Sequence, residues 1–477
     1  MKNDNVFVDC EVGRLRKIMV HSPDDGLGKI IPAKAQDWLF EDILHLETLR
    51  KDEYDLYTKL LLYFLDPEKA KQVEGVDKND RSCFNPEHPN YFNSDKVLEP
   101  QFLLSQILED DSVKKKLVAS VVAHERISYK MQEQLLELKP VQLAAVLVSG
   151  IMPDQRMIFP PVPNFIFTRD IAVVVNDHVL LTKPATTARS REGILSTYIF
   201  FNHVAFKEMR DRVIEVSNSE DYFLFDAEER KLKTVSVEGG DVMMVAPNHL
   251  LIGCSERTTL HGTSVVIQEL FARNVVDKVS VIKIPNTRAF MHIDTTFTQV
   301  KRNMWVLFAP FSKSGTAYGK QHLIPELGEP VEPFSLEIIQ VSKDNPHTPK
   351  KFFHLEDLLD DVSQNDLGST EKTEFILSGD GEFPFVQREQ WTDSCNVLAL
   401  KEGVVIGYDR NNRTADAFRK KGFDVIHVND LLKEFEEGVR KPDDVENTLI
   451  LLTSGELSRA RGGSHCISMP LLRDSFF

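Results

Sequence analysis

The chain is short of cysteine and has no cysteine pairs. Its five, Cys10, Cys83, Cys254, Cys395 and Cys466, lie far apart and form no Cys-x-x-Cys motif. That argues against a disulfide framework or a structural zinc cage. Long hydrophobic runs are also missing. The longest, such as Leu60-Leu61-Leu62-Tyr63-Phe64-Leu65, are too short to span a bilayer. The opening Met-Lys-Asn-Asp-Asn-Val has no basic stretch leading into an apolar one, so no secretory signal is expected. Basic excess is absent as well: the formal net charge is -16, which argues against nucleic acid or an anionic membrane as partner. A cytoplasmic protein is expected.

The chain's 477 residues amount to roughly three domain-sized units. Residues 13–20 read as a strand that His21-Ser-Pro-Asp-Asp-Gly26 stops. From 36 to 148 the period changes. Leu39, Ile43 and Leu46 repeat at helical spacing, as do Leu56, Leu60 and Tyr63, and later Leu103, Ile107, Leu117 and Val121. The stretch is read as a helical insertion, with a polar loop over 76–96. Past Gly150 a different unit recurs. Asp170, Asp241, Asp294 and Asn396 each precede an apolar strand, a short turn and a second apolar strand. These are four predicted β-hairpins, with helices expected over 264–273 and 414–421 and a possible fifth unit at the strand near residue 15. Such recurrence suggests modules stacked around an axis. Residues 312–373 are expected to form an exposed elaboration with one or two short helices, including Leu355–Val362.

Three of the four hairpins open directly after an aspartate. Aspartate can cap a strand start for local reasons, yet equivalent modules would bring all three carboxylates to one central place. A second cluster lies near the end, in Arg461-Gly-Gly-Ser-His-Cys-Ile-Ser-Met-Pro470. Two glycines let backbone approach closely and set one thiol at a loop. A lone cysteine is commonly a small buried hydrophobe. The stretches Asn164-Phe-Ile-Phe-Thr-Arg-Asp170, Glu238-Gly-Gly-Asp241 and Met291-His-Ile-Asp294 change that reading, because together with Cys466 they supply a thiol, a histidine and four carboxylates. Buried carboxylates need a compensating cation. Zinc on His292, Asp294, Cys466 and Glu238 is one candidate. A guanidinium is the other, since each carboxylate can accept two parallel N–H bonds from it.

These four stretches resemble the signature of the arginine deiminase family, within the wider guanidine-modifying enzymes. The likeness extends over most of 12–35 and 145–477 and is dense around Arg388-Glu-Gln-Trp391 and Tyr408-Asp-Arg410. The resemblance implies an α/β fold: a five-bladed, pseudo-symmetric propeller of ββαβ units (a pentein) from residues 1–35 and 149–477, with 36–148 as the inserted helical domain. It implies hydrolysis of L-arginine to L-citrulline and ammonia by a homo-oligomer, without metal or organic cofactor. By residue match, Asp170 and Asp294 would grip the guanidinium and Cys466 would attack its carbon. His292, oriented by Glu238, would protonate the leaving ammonia and then activate water. Asp241 would support its loop. Arg189, Arg257 and Arg461 would hold the substrate carboxylate, with Arg191 an alternative to Arg189. Asn164 and Phe167 would line the carboxylate end and the alkyl stem.

Ser464-His465 stands where the family more often has Pro-Arg, and His465 is read as an uninvolved loop residue in the favoured reading, or else as one that alters the pKa of the thiol. A dimethylarginine hydrolase or an amidinotransferase on the same core is the nearest alternative, and a zinc hydrolase the more distant one. Dialysis against a chelator separates the last. Full turnover with no stoichiometric metal is the expected result, and loss of activity restored by zinc would favour the metal reading.

Overall fold

The computed structural model describes residues 6–40, 42–313 and 336–477. They form an α/β fold with five mixed sheets. The four sequence-predicted hairpins are present: Ala172–Val175 with His178–Leu181, Val242–Ala246 with His249–Cys254, Phe297–Lys301 with Met304–Leu307, and Leu398–Lys401 with Val404–Tyr408. Each is antiparallel. In each sheet the second hairpin strand then pairs in parallel with a later strand: Val213–Glu215, Lys278–Lys283, Glu374–Leu377 and Thr448–Leu452 respectively. A parallel return needs a crossover, and helices fill three of these: Ser190–Asn202, Leu260–Ala272 and Asn412–Lys420. Four of the eight hairpin strands are buried along their whole length, and the other four at all but one residue. This explains why they read as near-continuous Val, Ile and Leu runs rather than as alternating ones.

The fifth sheet joins the two ends of the chain. Leu15–Met19 pairs antiparallel with Met469–Arg473 and parallel with the two-residue strand Val97–Leu98. That last strand comes from within the largely helical stretch. Its helices include Asp55–Leu65, Pro100–Ile107, Asp111–Glu125, Tyr129–Glu137 and Pro140–Ser149. Asp110 and Ser128 cap two of them, their side chains accepting backbone N–H bonds from the first turn, the ordinary role of these residue types. The sheet edge and the helices share a core: Met19 and Leu98 pack with Leu104, Leu117, Leu143 and Leu147 in one apolar cluster.

Part of the 312–373 elaboration, residues 314–335, lies outside the described residues. The remainder holds the expected helix, Leu355–Asp361, and two strands that were not expected. Glu337–Ser342 pairs with Lys278–Lys283 and then with Asn345–Phe352, extending the neighbouring sheet to five strands. Asn345-Pro346-His347 lies in the stretch expected to be an exposed elaboration. In the structure it begins an exposed edge strand, where proline costs no ladder bond.

The third hairpin is locked by Trp305, fully buried, whose Nε1 donates to Ser363 Oγ at 3.0 Å. Trp305→Ala should lower stability by about 3–5 kcal/mol, read as a shift of the urea midpoint.

Candidate active site

Short 3-10 turns lead into the first three hairpins and carry the key carboxylates: Thr168–Asp170, Gly239–Asp241 and Ile293–Thr295. They converge on one pocket lined by Asn164, Phe167, Asp170, Arg189, Glu238, Arg257, His292, Arg461 and Cys466, together with Leu39, Arg288, Met291, Thr295 and Ala460. The turns can meet because two residues lack a side chain. A Cβ on Gly239 would lie 1.9 Å from the Arg169 carbonyl oxygen, and one on Gly240 2.5 Å from His292 Nδ1. Close backbone approach of this kind is a task for glycine.

Two sub-clusters face each other. In one, His292 Nε2 lies 3.0 Å from Glu238 Oε2, and Asp170 Oδ1 accepts the Gly240 N–H at 3.1 Å. Arg189 is turned into this group. Its Nη1 donates to Asp170 Oδ2 at 2.9 Å and to Glu238 Oε2 at 3.0 Å, while Nε reaches Glu192. In the other, Asp294 Oδ2 accepts from the Cys466 thiol at 3.5 Å and lies 2.9 Å from His465 Nδ1. Asp294 Oδ1 is buried and has no hydrogen-bond partner among the described residues.

Reading His465 as an uninvolved loop residue is corrected by this geometry. The ring is buried between Asp294 and Glu11, and Glu11 in turn pairs with Arg169. A continuous chain of buried polar contacts thus runs from Arg169 through Glu11, His465 and Asp294 to the thiol. Sequence gave no signal for Glu11 or Arg169 in this role. The arginines divide as well. Arg191 points away from the pocket, to Glu125 and the carbonyls of Val148 and Pro160. Arg461, at a left-handed φ of 64°, stacks over Trp391 at 3.4 Å. Arg257 Nη2 donates to Met291 Sδ at 3.8 Å, and its buried Nε has no hydrogen-bond partner. Asn164 Nδ2 donates to the Trp38 carbonyl, tying the pocket wall to the loop that carries Leu39. Asp241 lies one layer back. It accepts the Ile293 N–H at 3.0 Å and the Ser255 hydroxyl at 2.5 Å.

The charge states follow from this packing. Burial opposes protonation of His292, but Asp170, Glu238 and Asp241 outweigh it and push its pKa up to about 10. Burial would raise Glu238, yet Arg189 and His292 bring it down to about 2. Asp294 is likewise held low against burial, chiefly by His465. The Cys466 thiol moves the other way: burial and then Asp294, Asp170 and Asp393 push it well above its usual value. At neutral pH the free protein therefore holds an imidazolium and a protonated thiol.

The side chains able to close on a small cation here are Asp170, Glu238 and His292. The sequence-based zinc set of His292, Asp294, Cys466 and Glu238 differs from this group: it lacks Asp170, and its Asp294 and Cys466 lie against each other instead. The positive charges that occupy the group in this structure are the guanidinium of Arg189 and the imidazolium.

A family model described as arginine deiminase matches residues 36–433. The arginine deiminase of Staphylococcus aureus strain JH9 is 28% identical, aligned over 99% of this chain and 100% of its own length, and that of strain Newman gives the same figures. Among solved structures, an amidinotransferase from Microseira wollei is 13% identical at a TM-score of 0.45, covering 99% of this chain and 100% of its own. A dimethylarginine dimethylaminohydrolase adduct is 11% identical at 0.44, with 95% and 99% covered. The chain is thus a hydrolase acting on carbon–nitrogen bonds in linear amidines. It belongs to the arginine deiminase family.

Only the thiolate reacts with iodoacetamide. Alkylation of Cys466 in the free enzyme should therefore be slow through neutral pH and accelerate only above the ordinary thiol value of 9.0. A midpoint below 8, read by peptide mass spectrometry, would contradict the burial argument.

Proposed function

We propose that the protein hydrolyses free L-arginine to L-citrulline and ammonia through a covalent Cys466 intermediate. The observation that carries this reading is that the pocket already holds a guanidinium, that of Arg189, on Asp170 and Glu238. A substrate guanidinium would take its place and extend to Asp294, whose buried Oδ1 is unpaired. Little space is free otherwise: the pocket leaves about 30 Å³, room for ordered water rather than for an amino acid. Arg189 has to move when substrate enters. Once released, Arg189 joins Arg257 and Arg461 as a partner for the substrate carboxylate, and Asn164 and Phe167 line that end.

The chemistry follows from the residues. A bound guanidinium brings a positive charge beside Cys466, which lowers the cost of releasing the thiol proton to solvent and forming the thiolate, while His292 keeps its own proton. The thiolate attacks the guanidinium carbon and a C–S bond forms. One C–N bond breaks, and His292 gives its proton to the departing ammonia. The resulting thiouronium is attacked by water. His292, now neutral, takes the water's proton, the C–S bond breaks, and citrulline and the thiolate are released. Glu238 orients the imidazole throughout, and Asp241 supports the turn. Holding the carbon between two carboxylates and the sulfur provides much of the barrier reduction by positioning alone.

In the same reading the five sheets, four of them built from a hairpin plus a parallel strand, are the blades of a five-bladed propeller. Residues 1–35 and 149–477 form it, and 36–148 form its helical domain. Residues 312–373 elaborate the propeller's surface.

Incubation with arginine should yield equal amounts of citrulline and ammonia. Ornithine appearing only when an acceptor amine is added would assign the protein to the amidinotransferases instead, and release of methylamines from methylated arginines in preference to turnover of arginine would assign it to the dimethylarginine hydrolases. Cys466→Ala should abolish turnover, a loss of at least about 10³-fold, while arginine binding stays measurable. Enzyme quenched during turnover should carry the substrate-derived adduct on Cys466, read by mass spectrometry.

A further inference from the structure

The four hairpins open on Asp170, Asp241, Asp294 and Asn396, and these side chains share a task. Asp170 Oδ1 accepts the Gly240 N–H at 3.1 Å, and Asp241 Oδ1 accepts the Ile293 N–H at 3.0 Å. Each thus binds the backbone of the residue just before the next opening position. Asn396 does the corresponding thing one step further along, its Oδ1 accepting the Cys466 N–H at 3.0 Å. Asp294 is the exception. Its Oδ1 is unpaired among the described residues, and its Oδ2 faces His465 and the thiol. The link that its carboxylate does not make is supplied from the other side, by Asn396 Nδ2 donating to the Asp294 carbonyl at 3.1 Å. One amide therefore ties the backbone of the sulfur to the backbone of the carboxylate that faces it.

Asn396 is itself held on every side. Its N–H donates to the Asp393 carbonyl. Thr298 Oγ1 donates to Cys395 O at 2.6 Å and accepts the Val397 N–H at 3.2 Å, fixing the turn on both flanks. A Cβ on Gly463 would fall 2.5 Å from the Asn396 carbonyl oxygen, so the thiol loop lies directly on it. We infer that Asn396 is a positioning residue for the reaction, a neutral clamp that keeps Cys466 Sγ and the Asp294 carboxylate within 3.5 Å of each other without adding charge. The inference rests on the reading of Cys466 as nucleophile.

Neutrality matters at this place. Asp294, Asp170 and Asp393 already disfavour the thiolate, and of these Asp294 faces His465, His292 and Arg169 while Asp393 faces Arg461. An aspartate at 396 would keep the acceptor for the Cys466 N–H. It would lose the donor, face the Asp294 carbonyl with a like partial charge, and add one more negative group beside the sulfur.

The test uses the full-length enzyme and three variants, with the urea midpoint as a folding control. Asn396→Ala should lower kcat about 10–100-fold and leave KM within about threefold of the native value. Asn396→Asp should lower kcat comparably and move the midpoint of Cys466 alkylation up by about one pH unit. A purely structural role would not lower kcat while leaving both KM and the urea midpoint native. A folded Asn396→Ala with native kcat overturns the inference, and so does Asn396→Asp with native kcat and an unshifted midpoint. The Asp variant alone decides the matter if the Ala variant does not fold. Cys466→Ala run alongside separates the two claims. Turnover surviving there overturns the choice of nucleophile, whereas an inert Cys466→Ala beside a fully active Asn396→Asp overturns only the role of Asn396.

Discussion

The arrangement of this protein's centre follows from one constraint: carboxylates taken out of water have to be matched by positive charge. Asp170, Glu238 and Asp294 are all buried at the pocket. His292 and Arg189 neutralise the first two, and the His465 ring lies against the third. Arg189 is held in this set by its side-chain ion pairs, and in the proposed reading it is the member that a substrate cation replaces. The apparent affinity for any such cation is then reduced by the cost of turning Arg189 out. The same neutralisation keeps His292 protonated and ready to donate. In the free protein, burial and the neighbouring acids keep the sulfur protonated.

Much of the frame was legible in the sequence. The hairpins showed themselves because buried strands require unbroken apolar runs and tight turns require Asn, Asp, Gly or Pro between them. The residues of the site were legible through combination. No single stretch was informative, but a thiol after two glycines, a His-x-Asp and a Glu-Gly-Gly-Asp together narrow the chemistry sharply. The exchange of Arg191 for Arg189 was not decided, since two arginines one residue apart differ only in which way the turn ahead of helix Ser190–Asn202 directs them.

Other features were hidden for physical reasons. Val97–Leu98 is too short to carry a period, and the edge strand Asn345–Phe352 is exposed and polar with two prolines. Nothing local distinguishes them from loop. Asn396 looks like any turn-forming amide, and its partners lie about 70 and 100 residues away in the chain. His465 was misread because its neighbours, Glu11 and Asp294, come from opposite ends of the sequence. Side chains whose meaning depends on remote partners leave no local mark.

The two-residue strand Val97–Leu98 has an architectural consequence. It places part of the helical stretch inside the same ladder that joins the first and last strands of the chain. A shortened protein made by splicing 35 to 149 would therefore uncover the edge of that ladder, leaving the N–H groups of Ile18 and Val20 available to any passing strand. The helices act as a cover for the seam where the chain's two ends meet, and a version without them would be prone to self-association.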